Sequence, residues 1–298
     1  LKLCEYSRLT IGRQVLKIDD QRLIAGRNWN QFGIAYDALA YTYDRNDWTL
    51  NTAFSYNTNI ELTNGKLIRD DELFNVKNLM KTFNFIHLKR RFNKNFSASL
   101  TAIAAGYRHS EYASVIYIMG TYGLWAKFDN GKFDLSGEAY FQNGKAQSGK
   151  EVMAYMASLH PGLKLGKVRI GVGGDYLSGD NAENNDFGEK ERTFNQMYGA
   201  VFKYYGNMNY YSYMKSSTAN GGLIDLYPNL KVPFAKKHAF TLYYHKFYLA
   251  NPVMIGAELV DNTDLGSEID LMYTGKLMKE LVVQAGVSYY LTTESLEK

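Results

Sequence analysis

Residues 131–142 read GKFDLSGEAYFQ, and every second side chain in this stretch is apolar or small. Phe133 and Leu135 share one face of an extended chain, whereas Asp134 and Glu138 share the other. Successive side chains of a β-strand point to opposite faces. This period of two therefore predicts a strand with one apolar face and one polar face.

The same period of two recurs along most of the chain. Residues 167–177 are a second example, with Val168 and Ile170 on one face and Arg169 and Asp175 on the other. Most of these segments are long enough to cross a bilayer as tilted strands. The predicted strands are 5–13, 36–44, 48–57, 81–92, 95–106, 115–128, 131–142, 151–162, 167–177, 222–232, 238–249, 266–277 and 281–291.

Tight and long connections alternate between these strands. Asp129-Asn130-Gly131 is a tight turn with the Asn-Gly signal of a β-hairpin. An up-and-down antiparallel sheet whose two ends lie in different surroundings produces this alternation, and outer-membrane barrels have short periplasmic turns and longer extracellular loops. The other short connections are 45–47, 93–95, 162–166, 233–237 and 278–280, and the longer ones are 14–35, 58–80, 107–114, 143–150, 178–221 and 250–265.

Composition excludes several other classes of protein. The chain has 298 residues and a mean hydropathy of −0.34, and no stretch approaches the roughly 18 consecutive apolar residues of a transmembrane helix. Lys and Arg total 34 against 30 Asp and Glu, a balance too even to indicate a nucleic-acid partner. The single cysteine, Cys4, excludes internal disulfides and cysteine-based metal sites.

We therefore predict an all-β fold, a transmembrane antiparallel up-and-down β-barrel that occupies residues 1–298 as a single outer-membrane domain with about 13–14 strands in this chain. The sheet must close, because an unpaired strand edge in lipid leaves backbone groups without hydrogen-bond partners. The segments read above number 13, whereas bacterial barrels have even counts. We expect at least the final C-terminal strand to be missing, and N-terminal strands to be missing in pairs.

Aromatic residues gather near the ends of the predicted strands. Aromatic girdles mark the two membrane interfaces of barrels, although aromatic residues are also common in strands generally. Those near the tight turns are Tyr41, Tyr43, Trp48, Phe92, Phe96, Phe128, Phe133 and Tyr273, and those near the opposite ends are Tyr56, Tyr107, Tyr140, Tyr176, Tyr248, Tyr289 and Tyr290.

Several motifs, in order along the chain, resemble the alginate-export family of outer-membrane porins. The early motifs are Leu9-Thr10-Ile11-Gly12-Arg13-Gln14, Asp20-Gln21-Arg22-Leu23, Trp29-Asn30-Gln31 and Tyr36-Asp37-Ala38-Leu39. The later ones are Gly174-Asp175-Tyr176-Leu177-Ser178-Gly179-Asp180, Met197-Tyr198-Gly199, Lys203-Tyr204-Tyr205-Gly206, and Gly266-Ser267-Glu268-Ile269-Asp270 with Tyr273.

The resemblance implies a monomeric barrel of about eighteen strands with a charged, constricted lumen. It would place roughly four strands before Leu1 and one after Lys298. The family's named substrate is alginate, a polyanion, and its pore is lined by arginines with some carboxylates. This chain departs from that pattern, because its charge is nearly balanced and several inward positions are Ser, Gly, Thr or Tyr. A general channel for sugars or small anions fits better than alginate itself.

Charged side chains within the strands are candidates to line the pore. A charge that faces lipid near the bilayer midplane costs about 2–4 kcal/mol for Arg or Lys, so such charges should face inward. Rings of charge in a narrow lumen set ion preference; the alternative is that these groups pair and are solvated. The residues predicted to line the pore are Arg8, Arg90, Asp134, Glu138, Arg169, Asp175, Glu268, Asp270 and Gln284.

The connection 178–221 is predicted to be a long extracellular loop that folds into the lumen and narrows it. Its first part, 180–191, carries five carboxylates and indicates a solvated acidic loop; a calcium site is the alternative, although the spacing of an EF-hand is absent. Its second part, 204–213, is too aromatic for a free external loop, and the alternative there is one more strand. The residues predicted to form the constriction are Tyr204, Tyr205, Asn207, Asn209, Tyr210 and Tyr211.

No motif in the sequence supports an enzyme. The stretch from Gly144 to Glu151 resembles a phosphate-binding loop, but Glu151 stands where Ser or Thr would hold Mg²⁺. The five histidines lie far apart without metal-ligand spacing, and no serine lies in a Gly-x-Ser-x-Gly elbow. We predict no enzymatic activity, no cofactor and no metal site.

The leading functional hypothesis is a porin-like channel of the bacterial outer membrane for diffusion or export of small polar or anionic solutes, such as saccharides. Its partners would be outer-membrane lipid, lipopolysaccharide and the solute. One alternative is a structural barrel that acts as a subunit or docking scaffold in an envelope protein complex. Another is an externally active hydrolase of lipids or peptides.

Overall fold

Antiparallel strands form one large sheet, in which each strand pairs with its neighbours in chain order. The computed structural model describes residues 1–26, 33–56, 60–63, 66–69, 80–109 and 115–293, and within these residues the sheet has 14 strands. The strands are β1 (Lys2–Cys4), β2 (Ser7–Gln14), β3 (Tyr36–Arg45), β4 (Trp48–Tyr56), β5 (Ile60–Thr63), β6 (Lys66–Arg69), β7 (Met80–Arg91), β8 (Phe96–Arg108), β9 (Ile116–Asp129), β10 (Phe133–Lys145), β11 (Glu151–Leu165), β12 (Val168–Leu177), β13 (Leu223–Ala235), β14 (His238–Leu249), β15 (Val253–Ile255), β16 (Glu258–Val260), β17 (Asp264–Lys276) and β18 (Val282–Leu291).

The 13 strands read from the sequence are all present in the large sheet, and its 14 strands agree with the predicted total of about 13–14. The additional strand is β1, which pairs with β2 so that Lys2 lies opposite Arg8. The sequence did not predict β1, because its three residues are too few to display a period of two. A turn at Glu5 and Tyr6 separates it from β2. Two small hairpins, β5–β6 and β15–β16, lie within the long connections and stay outside the large sheet.

Every tight turn lies at one end of the sheet, and every longer connection lies at the other, as predicted. The strands run antiparallel and in chain order from β1 to β18, so consecutive connections must alternate between the two ends. We call these ends the tight-turn side and the long-connection side.

The large sheet has two faces of opposite character, which β11 displays most clearly. Val152, Ala154 and Met156 are at most 7% exposed, whereas the alternate residues Met153 and Tyr155 are 53% and 48% exposed. The alternation follows from the period of two in a strand. We call the face with the buried residues the covered face and the opposite one the bare face.

The pairing of residues on neighbouring strands shows that the covered face and the bare face each extend across the sheet. His87 lies opposite Thr101, Thr101 opposite Gly123, Gly123 opposite Tyr140, and Tyr140 opposite Met156. Directly opposed residues of paired strands share a face, so all five lie on the covered face. A β-carbon at Gly123 would sit 2.8 Å from Cε1 of Tyr140, which shows that the tyrosine ring lies flat over this glycine.

The bare face exposes large apolar side chains without interruption. Leu100, Leu124, Leu159 and Val172 are between 50% and 63% exposed, although they lie in the middle of their strands. Soluble monomers rarely expose contiguous apolar surface of this extent. The bare face is therefore suited to contact lipid.

Aromatic residues near the tight turns lie on the bare face, as a girdle requires. Phe92 and Phe96 stack with ring centroids 5.2 Å apart, and Phe128 contacts Phe133 at 6.3 Å. The prediction for the opposite ends was wrong for three residues, because the register places Tyr107, Tyr140 and Tyr290 on the covered face, where they are buried.

Helical structure is confined to two short pieces of the connection between β12 and β13 in the described part of the chain. They are a 3-10 turn at Val201–Lys203 and the single turn of α1 at Met214–Ser217. The alternative of one more strand at 204–213 was therefore wrong. No helix in the ranges that the structure describes is long and apolar enough to cross a membrane.

Two connections from the long-connection side pack over the covered face. We define the first segment as residues 15–26 and the second segment as residues 178–222. They hydrogen-bond to each other, because the amide of Ala25 donates to the carbonyl of Tyr198 at 3.1 Å and the amide of Ala200 donates to the carbonyl of Gln21 at 2.8 Å. The core of the protein lies between these segments and the sheet.

Candidate functional site

Arg22 of the first segment is the centre of the most deeply buried polar cluster on the covered face. Its Nε donates to Oε1 of Glu138 on β10 at 2.7 Å, and its Nη2 donates to Oδ1 of Asp175 on β12 at 2.8 Å. Its Nη1 donates to the hydroxyl of Tyr205 at 2.9 Å, and the guanidinium carbon lies 3.6 Å from the ring centre of Tyr204. One side chain therefore joins the two segments to two strands.

The Arg22 side chain is only 1% exposed, as is that of Asp175. Burial by itself lowers the pKa of a guanidinium, but the carboxylates of Asp175 and Glu138 raise the pKa of Arg22 well above its ordinary value. A buried charge is tolerated only when it is paired and fully hydrogen-bonded. Each of the three guanidinium nitrogens has a partner, whereas Oδ2 of Asp175 is buried without one among the described residues.

Asp19 fixes the start of the first segment to the sheet. Its Oδ2 accepts hydrogen bonds from His87 Nε2 at 2.9 Å and from Ser99 Oγ at 2.5 Å, and its Oδ1 accepts from Lys89 Nζ at 3.0 Å. Burial alone would raise the pKa of Asp19, but the bond from His87 and these other partners hold that pKa below its ordinary value. The adjacent Asp20 accepts a bond from the indole of Trp125 at 3.0 Å.

Gln142 of β10 holds the second segment through a pair of amide bonds. Its Nε2 donates to the carbonyl of Asn195 at 2.8 Å, and its Oε1 accepts the backbone amide of Asn195, also at 2.8 Å. This reciprocal pairing satisfies both ends of a fully buried side-chain amide. The segment is thereby fixed in register against β10.

The backbone of the second segment also binds two carboxylates of β17. The amide of Met208 donates to Oε1 of Glu268 at 2.8 Å, and the amide of Asn207 donates to Oδ2 of Asp270 at 3.3 Å. Gly206 has φ +82°, and a β-carbon there would sit 2.6 Å from the carboxyl carbon of Glu268. Only glycine allows the backbone to approach so closely.

Tyrosine side chains extend the contact between the second segment and the sheet from β17 to β18. The hydroxyls of Tyr211 and Tyr290 are 2.6 Å apart, and the Tyr290 hydroxyl donates to the carbonyl of Leu265 at 2.8 Å. The ring of Tyr211 lies 4.7 Å from that of Phe247, and Tyr210 lies 4.8 Å from Tyr290. Tyr210 and Tyr211 therefore each have an aromatic partner on the covered face, whereas Tyr213 is 70% exposed.

A second, less buried group of polar residues lies toward the tight-turn side. The Arg169 Nε donates to Oδ2 of Asp134 at 2.9 Å, and its Nη1 donates to Oδ1 of Asn229, also at 2.9 Å. The guanidinium lies across Gly162 and Gly171, where β-carbons would clash with its nitrogens. Arg169 is therefore held flat on the sheet, with 27% of its side chain still exposed.

The model of the alginate export family matches residues 4–294, which is nearly the whole chain. This protein belongs to the alginate export family. No curated protein matches the chain in sequence.

Solved structures with the same fold are outer-membrane proteins of Pseudomonas aeruginosa. OprD superposes with a TM-score of 0.59 and 13% identity, over 97% of this chain and 71% of its own. OpdQ gives 0.60 and 14%, over 97% and 74%, and OccK10 (OpdN) gives 0.62 and 11%, over 98% and 77%. This member of the family therefore has the fold of an outer-membrane β-barrel porin, and it is located in the bacterial outer membrane.

The covered face of this family member carries most of the residues that the sequence predicted to face inward. Glu138 and Asp175 bind Arg22, and Glu268 and Asp270 bind the second segment. The remaining ones on this face are Asp134 and Arg169, which form an ion pair, and the exposed Arg8 and Gln284, which lie on strands at or near the two ends of the sheet order.

Arg90 was placed wrongly by the sequence argument. It lies opposite Trp48, and it follows Lys89, which shares the covered face with His87, so the period of two puts Arg90 on the bare face. Its guanidinium carbon is 4.8 Å from the Trp48 ring and 5.0 Å from the Phe92 ring. A charge at the end of a strand can reach interfacial water, so the cost of a charge in lipid does not force it inward there.

The predicted constriction residues lie together at the contact between the second segment and the sheet. Tyr204 and Tyr205 contact Arg22, and the other four are Asn207, Asn209, Tyr210 and Tyr211, of which Asn209 donates a side-chain bond to the carbonyl of Asn207. The motif Trp29-Asn30-Gln31 lies outside the described residues.

Arg192, which directly follows the acidic part 180–191, binds two of the carboxylates for which a calcium site was the alternative. Arg192 Nη1 donates to Oδ1 of Asp180 at 2.9 Å, and its Nη2 binds Asp186. Asp180 also accepts the backbone amide of Gly188 at 2.8 Å. In the part of the chain that the structure describes, no three His, Cys, Asp or Glu residues are arranged to hold a metal ion.

Sequence reasoning missed Arg22 and Asp19, which organise the first segment. A usable indication was present, because Leu23, Ile24 and Ala25 form an apolar run inside a polar connection and are at most 1% exposed. The reasoning that assigned the tyrosine-rich part of the second segment to a buried position applies equally to this run.

Proposed function

We propose that this protein is a porin-like channel that lets small polar solutes, saccharides among them, cross the outer membrane, and that it is not an enzyme. The observation that carries the proposal is the reversed distribution of polarity in the sheet. Apolar side chains such as Leu159 and Val172 are exposed on the bare face, whereas Glu138 and Asp175 are buried on the covered face. A barrel with lipid outside and a hydrated interior requires this arrangement.

The path for solute would follow the covered face. The lining we propose consists of residues that the register assigns to that face. Arg8, Asp134, Arg169 and Gln284 are exposed or partly exposed there, whereas Glu138, Asp175, Glu268 and Asp270 are buried beneath the two segments and would hold these segments in the path. The bare face would contact outer-membrane lipid and lipopolysaccharide. The even balance of charge gives no reason to expect a nucleic-acid partner.

The second segment would narrow this path. Tyr204, Tyr205, Asn207, Asn209, Tyr210 and Tyr211 lie where the segment meets Arg22, Glu268 and Tyr290. Loops that fold into a barrel reduce its free cross-section and so set the size of solute that passes. Long polymers would therefore need the segment to move, whereas small solutes would pass beside it.

Planar rings on the covered face support saccharides as solutes. Tyr227 lies flat over Gly173, where a β-carbon would be 2.6 Å from the tyrosine hydroxyl, and its ring centre is 6.3 Å from that of Tyr243. The partly exposed guanidinium of Arg169 donates to the amide oxygen of Asn229, which lies opposite Tyr243. Aromatic surfaces beside fixed hydrogen-bonding groups suit a hydroxyl-rich ring. Anionic solutes stay a prediction, with Arg169 as the best candidate partner, and the bilayer recording described below tests them as well.

Planar-bilayer recording tests the proposal. The chain is inserted into the bilayer, and stepwise conductance is measured before and after addition of neutral and acidic oligosaccharides. We expect discrete conductance steps that the saccharides reduce. The absence of any conductance above the lipid background would contradict the proposal.

A structural or docking role is the second candidate, and the tight packing around Arg22 is the observation that favours it. A variant in which residues 194–213 are replaced by a short Gly/Ser linker separates the two functions. A narrowed channel would become more conductive after this replacement. A plugged scaffold would gain no solute-dependent current and would instead lose an envelope partner in a pull-down from membranes.

A further inference from the structure

Arg90 on the bare face is a cation without a counter-charge from the protein. Its guanidinium carbon lies 4.8 Å from the ring centre of Trp48 and 5.0 Å from that of Phe92, and both rings are exposed. Arg90 itself is exposed and forms no ion pair with any residue that the structure describes, whereas the next residue, Arg91, pairs with Asp47 at 2.9 Å. The N–H donors of Arg90 are therefore available to a group outside the protein.

This arginine lies at the level of the membrane interface on the tight-turn side. It is the last residue but one of β7, and the stacked rings of Phe92 and Phe96 lie at the same rim. The short turns of outer-membrane barrels are periplasmic, so the surrounding lipids there are glycerophospholipids, whose phosphate groups lie at the interface. A phosphate has the charge complementary to Arg90, and a planar guanidinium can bind it through two parallel hydrogen bonds.

A shallow apolar groove begins beside Arg90 on its own strand. Leu88 and Ile86, which are the two bare-face residues of β7 that precede Arg90, line this groove, and its volume is about 400 Å³. The groove suits a hydrocarbon chain, because such a chain gains contacts with both walls. The other large or apolar side chains that line it are Leu100, Ala102, Tyr122 and Leu124.

A second apolar groove begins on the neighbouring strands at the level of Arg90. The register sets Arg90 opposite Ala98, Ala98 opposite Ala126, and Ala126 opposite Gly137. Opposed side chains are about 5 Å apart, so this row of small residues leads from the arginine into the groove. Ala126 and Gly137 line the groove, and its volume is about 580 Å³. Further along, it is lined by Ala139, Ala157, Leu159, Ile224 and Leu226.

We propose that these features form a binding site for one diacyl glycerophospholipid, which places its phosphate on Arg90 and one acyl chain in each groove. Leu124 borders both grooves and would separate the two chains. One cation beside two apolar grooves matches a lipid with one phosphate and two chains, and the bound phosphate would neutralise Arg90 at the interface. The site lies on the bare face, so it does not depend on the passage of solute along the covered face.

Native mass spectrometry of the full chain tests the inference. The protein is held in micelles of a mild non-ionic detergent and titrated with dioleoylphosphatidylglycerol, and the fraction that carries one lipid is measured at each concentration. We expect the first lipid to bind more tightly than any later one. Separate titrations with inorganic phosphate, lysophosphatidylglycerol and lipopolysaccharide should each give weaker binding. Inorganic phosphate has no acyl chain, lysophosphatidylglycerol has one, and lipopolysaccharide has more than the two grooves can hold.

Single substitutions locate the site. Arg90→Gln should weaken the binding of the first lipid by about tenfold, because the charged hydrogen bonds to the phosphate are lost. Arg91→Gln is the matched control, since it removes a charge from the same end of β7 but from the opposite face, and it should leave the binding unchanged. Ala126→Leu and Ala102→Leu each fill one groove and should also weaken the binding, whereas Ala285→Leu, at an exposed bare-face position of β18, should not. Heat-modifiable migration confirms that each variant is folded.

The inference is wrong if the first lipid binds no more tightly than later ones, or if Arg90→Gln and Arg91→Gln have the same effect. Binding of lysophosphatidylglycerol or lipopolysaccharide as tight as that of the diacyl lipid would also overturn it, because the match between two chains and two grooves would be lost. Tight binding of inorganic phosphate alone would show that the grooves play no part. If Ala126→Leu fails to fold, Ala102→Leu and the arginine variants still decide the result.

Discussion

Arg22 donates a hydrogen bond of 2.7 Å to Glu138, although the two residues are 116 positions apart in the chain. The side chains are 1% and 3% exposed, so the pair is withdrawn from water. Pairs of this kind contribute little net stability when intact, but removal of one partner leaves the other charge buried and unpaired. The pair therefore determines whether the first segment stays on the sheet.

Replacing Arg22 tests this directly. Arg22→Ala leaves the carboxylates of Glu138 and Asp175 buried without their cation, which costs about 3–5 kcal/mol. We expect lower resistance to urea unfolding in lipid and faster proteolytic cleavage within the two segments. Arg13→Ala is the control, because its ion pair with Asp37 is exposed and its removal should change neither measurement.

Equal proteolysis of the two variants would contradict the role assigned to Arg22. Arg22→Lys adds a second check. A lysine keeps the charge but cannot reach both carboxylates and the hydroxyl of Tyr205 with a planar fork, so it should give an intermediate result.

Replacement of Gly206 even by alanine is expected to weaken the contact between the second segment and Glu268. Gly206→Ala places a β-carbon against Glu268 and also forces alanine into positive φ. Gly188→Ala is the matched control, since Gly188 has φ +75° but no atom within 4 Å of the place that a β-carbon would occupy. Both changes carry a backbone cost of about 1–2 kcal/mol, and only the first should also release residues 204–211 to protease. The same cleavage rate in both variants would show that the contact with Glu268 does not hold the segment.

The two faces of the sheet should respond oppositely to a new charge. Leu159→Arg on the bare face of β11 would place a guanidinium in lipid, at a cost of about 2–4 kcal/mol near the midplane. Ser136→Arg on the covered face of β10 should cost much less, because water or a carboxylate can reach it there. Assembly yield in lipid vesicles, read as heat-modifiable migration, measures both. Similar losses from the two changes would mean that the faces do not differ in environment.

The strands could be predicted from the sequence because each one repeats the same local rule. Phe133 and Asp134 fall on different faces for a reason that a single strand contains, namely the period of two. The alternation of tight and long connections added the topology, since Asp129-Asn130-Gly131 and its counterparts all fall at one end. β1 was not predicted, because a strand of three residues is too short to show a period of two.

The partners across the covered face could not be predicted in the same way. Arg22 meets residues that lie between 116 and 183 positions away, and no local pattern encodes a distance of that kind. Arg90 shows a different limit. The cost of a charge in lipid depends on depth, and a sequence pattern does not give the depth of a strand end.

The tyrosines near strand ends depend both on the local period of two and on contacts between distant residues. An aromatic residue near a strand end fits either a membrane girdle or a buried contact. The register decides between them: Tyr273 lies on the bare face, whereas Tyr290 lies on the covered face and binds Tyr211. The choice rests on the exact pairing of β17 with β18, which the structure gives and the sequence analysis did not address.

Spin labels on three consecutive residues of β14 test the central claim most directly. Leu242 and Tyr244 lie on the bare face and are 42% and 41% exposed, whereas Tyr243 lies between them on the covered face. Each is replaced by a labelled cysteine in a Cys4→Ser background in lipid vesicles, and collision with oxygen and with a water-soluble nickel complex is measured. We expect the labels at 242 and 244 to favour oxygen and the label at 243 to favour nickel. Equal access of nickel to all three labels, or a dry label at 243 between two wet ones, would contradict a barrel with lipid outside and water within.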